Sequence, residues 1–181
     1  MSEASDSAAS AVIGAARRAG LQLAVAESLT GGLLASEIVS VPGASAVFAG
    51  GIIAYDTSLK HSLLGVDAEL LRTVGPVDAE VARQMARGVR RACALRSDVE
   101  GSVLEPGLGL ATTGVAGPDP DPQSGQAAGT VWIAVSSRRG ERAVRVPGCL
   151  GLTRQQVRTA SVRAALDLVL EELGLPEFSQ T

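Results

Sequence analysis

Rings and metal-binding side chains are scarce in this sequence. One tryptophan, one tyrosine and two phenylalanines make up 2% of the 181 residues, and His61 is the single histidine. So few rings leave little for base stacking, and 16 Lys+Arg against 19 Asp+Glu, a net charge of -3, provide no basic footprint; nucleic-acid binding is disfavoured. The two cysteines, Cys93 and Cys149, lie far apart and with His61 cannot build an ordinary zinc site, so no metal is expected. The opening MSEASDSAAS lacks the basic flank and apolar stretch of a secretory signal. The thiols therefore read as reduced, and the chain as cytoplasmic. Residues 1–7 and 176–181 read as disordered tails. One uncharged run, Ile38 to Tyr55, nears the roughly 17 to 25 residues of a spanning helix. Pro42-Gly43 and Gly50-Gly51 interrupt it, which favours helix end, turn and buried strand, with no membrane association.

What is present is an ordinary globular mixture, 46% apolar and 19% charged, sufficient for one domain over residues 8–175. Periodicity predicts a helix over Ala8 to Arg18 ending at Gly20, a strand over Leu21 to Ala26, a helix over Gly31 to Ser40, and a second strand over Gly51 to Tyr55. A short helix follows over Ser58 to Leu64. Asp67 caps another, and Asp78 caps a long amphipathic helix over Ala79 to Leu95. Strands are then expected over Gly109 to Thr113, Thr130 to Ser136 and Arg142 to Val146, the last two joined by a hairpin, before a closing helix over Thr153 to Leu173. Alternation followed by a late hairpin implies a layered α/β sheet of mixed direction.

Two places carry chemistry. The first is AESLTGG at residues 26–32, where a strand runs into hydroxyls and glycines at the mouth of a helix. Ser28 there is either a nucleophile or a helix cap, and the amides around Thr30, Gly31 and Gly32 are suited to an anion. A serine nucleophile needs a base, and the single histidine argues for a lysine in its place. AYDTSLK puts Tyr55 at the tip of the next strand and Lys60 five residues on, at the same sheet edge. Burial would lower the amine's pKa from about 10.4 and make it a base, with Tyr55 as relay or support. The plain alternative for each is a solvated lysine and a packing tyrosine. The second place is the loop GPDPDPQSG, Gly117 to Gly125, which follows Thr112-Thr113-Gly114 at a strand end.

Four ordered blocks, AESLTGG, VPGASAVFAGGIIAYDTSLKHSLLGV, TTGVAGPD and AAGTVWIAV, resemble the CinA C-terminal domain family, whose characterised members are nicotinamide-mononucleotide deamidases. The resemblance runs from about Ala11 to Leu173 and implies a three-layer α/β/α sandwich with a mixed sheet, carrying a stand-alone amidohydrolase of pyridine nucleotide salvage. Such an enzyme forms nicotinate mononucleotide and ammonia without a cofactor. It places the family's serine on Ser28, its tyrosine on Tyr55 and its lysine on Lys60. It also aligns Thr113, Gly114, Ala116, Gly117 and Pro118 with a glycine loop lining the nucleotide pocket, with Thr112 or Thr113 offering a hydroxyl. Arg154 aligns with a family arginine suited to phosphate, and Ser45 with a family serine. Glu27 is assigned either a pairing with Lys60 or a ribose contact. The chain departs from the family pattern at Asp119-Pro120-Asp121-Pro122 and Gln126-Ala127-Ala128-Gly129, and at Leu29 where a cysteine is usual. The resemblance also suggests a homodimer or larger homo-oligomer. Many relatives carry a further N-terminal domain and are linked to competence or DNA-damage responses. The rival reading is therefore a catalytically silent nucleotide- or partner-binding module, with Arg83, Arg87, Arg90 and Arg91 as the only hint of an acidic partner. An amidase acting on another pyridine is the third reading.

Overall fold

Short polar side chains start the helices. Ser7 Oγ accepts from Ser10 N ahead of α1 (Ala8–Ala19), Asp67 from Leu70 N ahead of α4 (Ala68–Val74), and Asp78 from Glu80 N ahead of α5 (Ala79–Ala92). Gly20 ends α1 at φ 65°, returning its N–H to Ala16 O and Arg17 O. The computed structural model describes residues 7–96 and 102–175. The tails expected at residues 1–6 and 176–181 lie outside the described residues, while Ser7, expected in the first tail, belongs to α1 as its cap.

Five strands form one mixed sheet in the order β2-β1-β5-β6-β7: β1 (Leu23–Glu27), β2 (Phe48–Ile53), β5 (Leu108–Gly114), β6 (Val131–Ser137) and β7 (Gly140–Arg145). β2, β1 and β5 are parallel, and β6 and β7 continue the sheet antiparallel. Alternation along β1 sends Leu23 and Val25 into a core shared with α1, α2 (Leu33–Val39) and α6 (Arg154–Glu172), and Ala24 and Ala26 into one shared with α5. Helices cover both faces, which is the expected three-layer α/β/α sandwich. The α5 face is lined by small residues for a steric reason. A Cβ on Gly109 would fall 2.0 Å from Ala86 O, and one on Gly88 1.9 Å from Leu64 O, so α5 lies close against β5 and the turn after α3 (Thr57–Ser62) only because both positions are glycine.

Two expectations shift. The glycine pair read as an interruption lies inside β2, where a Cβ on Gly51 would meet Val25 Cγ2 at 2.7 Å; the pair marks a close approach to β1 rather than a strand end. Helix α5 stops at Ala92 instead of Leu95, because Leu95–Arg96 (β3) pairs with Val103–Leu104 (β4) in a small antiparallel sheet. Among the described residues no helix is long and apolar enough to cross a membrane.

Candidate active site

The carboxyl ends of the three parallel strands bring the site together, the usual place for ligands in an open α/β sheet. Register pairs Glu27 of β1 with Ile53 of β2 and with Thr112 of β5, so the residues that follow emerge side by side. Ser28 N donates to Thr112 O (3.0 Å) and Ala54 N to Glu27 O (2.8 Å), tying the three strand ends to one another. Asp56 then caps α3 by accepting from Ser58 N (2.8 Å) and Ser58 Oγ (2.6 Å), and the helix carries Lys60 back under the strand ends. Lys60 is 1% exposed and Ser28 7%. The lysine Nζ lies 3.0 Å from Ser28 Oγ and donates to Ala54 O at 2.9 Å. Burial pushes its pKa down from 10.5 to about 8; the negative charges of Asp56 and Asp121 oppose that shift without cancelling it. A buried hydroxyl thus touches an amine whose neutral form is accessible near neutral pH, the arrangement a lysine-activated serine requires.

A cleft of about 140 Å³ opens over this pair, and its walls include Tyr55, Thr113, Gly114, Ala116, Asp121 and Arg154. Tyr55 is 60% exposed, and its hydroxyl accepts from Arg154 (3.0 Å). The expected relay through Tyr55 has no hydrogen bond to Ser28 or Lys60 among the described residues; Tyr55 sits at the mouth instead. Arg154 opens α6 after the Thr153/Gln156 capping box and also donates to Gly117 O (2.8 Å). Thr113 lines the cleft, but its hydroxyl is committed to Pro76 O (2.6 Å).

Other expected site residues do different work. Thr30 and Thr112 are fully buried and their hydroxyls bond each other at 2.8 Å, so neither reaches the cleft. Glu27 contacts neither Lys60 nor the cleft: its carboxylate accepts from Gly32 N (2.9 Å), Leu34 N (3.1 Å) and Ala35 N (2.8 Å), closing the start of α2 from inside. That removes Gly32 as an anion donor, and Gly31 N is used by Ser28 O (3.1 Å). Ser45 follows the first residue of the short 3-10 turn Ala44–Ala46, on a separate depression with Val39 and Phe48.

A family model describing the CinA C-terminal domain matches residues 5–173. The chain belongs to this family. It is 45% identical over 181 residues to a CinA-like protein of Frankia casuarinae, an alignment covering 98% of this chain and 38% of that relative. The chain thus spans well under half of that relative's length. Among solved structures, the competence/damage inducible protein CihA of Agrobacterium tumefaciens superposes with a TM-score of 0.80 at 30% identity, covering 94% of this chain and 96% of the other. A CinA superfamily protein of Enterobacter cloacae gives 0.79 at 26% identity, with 92% of each chain covered. The CinA fold therefore accounts for nearly all of the described residues.

Sequence reasoning missed Arg158. Its guanidinium donates to Leu29 O (3.1 Å) and Thr30 O (2.7 Å), gripping the loop that carries Ser28. The readable signal was spacing: Arg158 follows Arg154 by one helical turn and so shares its face of α6. Because carbonyl and N–H point opposite ways across a trans peptide, fixing Leu29 O turns Thr30 N–H away from Arg158. The basic residues of α5 are largely engaged within the chain: Arg83 with Glu80, Arg87 with Glu141, and Arg90 with Pro106 O and Ser136.

Proposed function

We propose that this chain is an amidohydrolase that converts nicotinamide mononucleotide to nicotinate mononucleotide and ammonia. The observation that carries the reading is the 3.0 Å contact between a buried serine hydroxyl and a buried lysine amine at the floor of a cleft. The family membership and the Arg154 guanidinium on the cleft wall support it.

In the reactive form Lys60 is neutral, with one N–H on Ala54 O and its lone pair toward Ser28. Ser28 Oγ attacks the carboxamide carbon as its proton passes to Lys60 Nζ. The tetrahedral intermediate collapses, the C–N bond breaks, and Lys60 returns the proton to the departing nitrogen, which leaves as ammonia. Water then attacks the acyl-serine ester, delivers a proton to Lys60 and restores the serine hydroxyl, releasing the acid. The amide of Leu29, a residue of the cleft wall whose N–H has no partner among the described residues, is the donor available to the oxyanion, since those of Gly31 and Gly32 are occupied. The 5′-phosphate is assigned to Arg154 at the mouth, a guanidinium at the head of a long helix. Tyr55 holds that guanidinium in place.

The test is ammonia release from nicotinamide mononucleotide by the purified chain without added metal, beside Ser28→Ala and Lys60→Met. Turnover abolished in both variants is the expected result. No turnover by the folded wild-type chain sinks the hydrolase and leaves the binding-module reading, for which the internally paired arginines of α5 offer little support. Turnover that survives Ser28→Ala keeps the substrate and removes the mechanism.

A further inference from the structure

Among the described residues Asp121 is the one acidic side chain on the cleft wall, and the chemistry above makes no use of it. It is held firmly. Its Oδ2 accepts from Ser124 N (2.7 Å) and Ser124 Oγ (2.6 Å), its N–H donates to Gln126 O (2.9 Å), and its carbonyl accepts from Gly125 N (2.8 Å). The loop is itself fastened to α4 and the segment after it, with Gln123 on Leu71 O and Gln126 on Val77 O. Oδ1 has no hydrogen bond and the carboxylate no ion pair among the described residues.

An acid there works against the base. Its charge favours the protonated form of Lys60, opposing the neutral amine that attack requires. A site arranged only to activate Ser28 would do better without it, so the carboxylate has another partner to meet. The cleft's charges supply the pattern: a guanidinium, Arg154, at the mouth, and a carboxylate, Asp121, within electrostatic reach of the dyad. A ligand complementary to that pattern carries an anion at one end and a cation beside its reacting amide. An N-ribosylated pyridinium carboxamide with a 5′-phosphate has this distribution, and its reduced 1,4-dihydropyridine form keeps amide and phosphate but loses the ring charge.

We propose that Asp121 is a specificity-determining residue that selects the oxidised, cationic pyridinium over the neutral dihydropyridine. This rests on the amidohydrolase reading and adds to it which redox form of the nucleotide is taken.

The experiment compares kcat/KM for nicotinamide mononucleotide and its 1,4-dihydro form in wild type, Asp121→Asn and Asp121→Glu, at about pH 9, above the pKa of about 8 of Lys60. Intrinsic reactivity and any change in Lys60 are common to wild type and variant, or to both substrates, and cancel in the ratio of ratios. Asp121→Asn, which keeps an acceptor for Ser124, is expected to lose roughly tenfold with the cationic substrate and less than about twofold with the neutral one, as for one charge pair in a partly screened site. Asp121→Glu keeps the preference. Equal changes with both substrates, or none, overturn the proposal. If wild type releases no ammonia, the hydrolase reading falls separately, and equilibrium binding of the two nucleotides to Ser28→Ala decides the point. Preference for the cation that disappears in Ser28→Ala/Asp121→Asn sustains Asp121's role, and binding indifferent to ring charge, or absent, ends it.

Discussion

Lys60 Nζ meets Ser28 Oγ at 3.0 Å, and neither atom is hydrogen-bonded to a carboxylate. A histidine base needs an acid to fix its tautomer; a lysine needs only to be relieved of its charge. Burial lowers the pKa to about 8, which brings the neutral amine within reach near neutral pH, and the carbonyl of Ala54 fixes the direction of the amine.

The pH profile follows from the base. With Lys60 titrating near 8, kcat/KM for nicotinamide mononucleotide is expected to rise about tenfold per pH unit below that value and to level off above it. Initial rates across the range check this. A profile flat through neutral pH removes Lys60 as the base.

The same group sets a stability trend. Its folded-state pKa is depressed, so below about 8 the folded chain carries a buried charge that the unfolded chain keeps in water. Between about 8 and 10.5 the unfolded state binds more protons, and stability contributed at this position rises with pH. Lys60→Met is expected to gain on wild type at low pH, with the gap shrinking by roughly 3 kcal/mol as pH passes through that window. Urea melts of both proteins at neutral and alkaline pH measure it, and a gap that is constant or widens counts against the buried charge.

Glu27 is an architectural residue. Glu27→Ala strands three amides, one buried and two part-buried, and is expected to cost about 3 kcal/mol, with Glu27→Gln, which retains one acceptor, losing about half as much. Denaturant midpoints decide; a neutral Glu27→Ala would mean that water replaces the carboxylate freely.

The phosphate contact proposed for Arg154 is separable by experiment from the chemistry. Arg154→Ala is expected to raise KM for the mononucleotide by about tenfold or more while leaving nicotinamide riboside, which has no phosphate, nearly unaffected. Equal losses on both would assign Arg154 to holding Tyr55 and Gly117 alone.

Arg158 acts through the loop it grips. Arg158→Lys cannot span Leu29 O and Thr30 O with a rigid fork, and kcat is expected to fall about tenfold with KM little changed. A change in KM alone would place the residue at the substrate instead.

The fold was legible wherever a local pattern recorded it. Asp67, Asp78 and Gly20 announce helix ends in their own chemistry, and β7 of the late hairpin alternates between exposed and half-buried positions along most of its length. Gly51 was misleading because its reason lies across the sheet, at Val25, and a two-residue strand such as β3 has no period to read. At the site, Ser28 and Lys60 were legible as a pair because a hydroxyl without histidine needs some other base. The burial of Thr30 against Thr112, the capping by Glu27 and the grip of Arg158 are contacts between segments distant in sequence or turned inward, and no spacing rule displays them.

The three amides closed by Glu27 also bear on how the serine can be activated. In many nucleophile turns the open head of the following helix lends its positive pole to the developing oxyanion. Here the residue immediately before the serine neutralises that pole, leaving the helix electrostatically quiet on the side of the nucleophile. In the proposed mechanism, architecture and reactivity thereby fall to neighbouring strands: the acid on one anchors the backbone, and the amine beyond the other governs the proton. A change that weakens the anchor should loosen the loop without retuning the base.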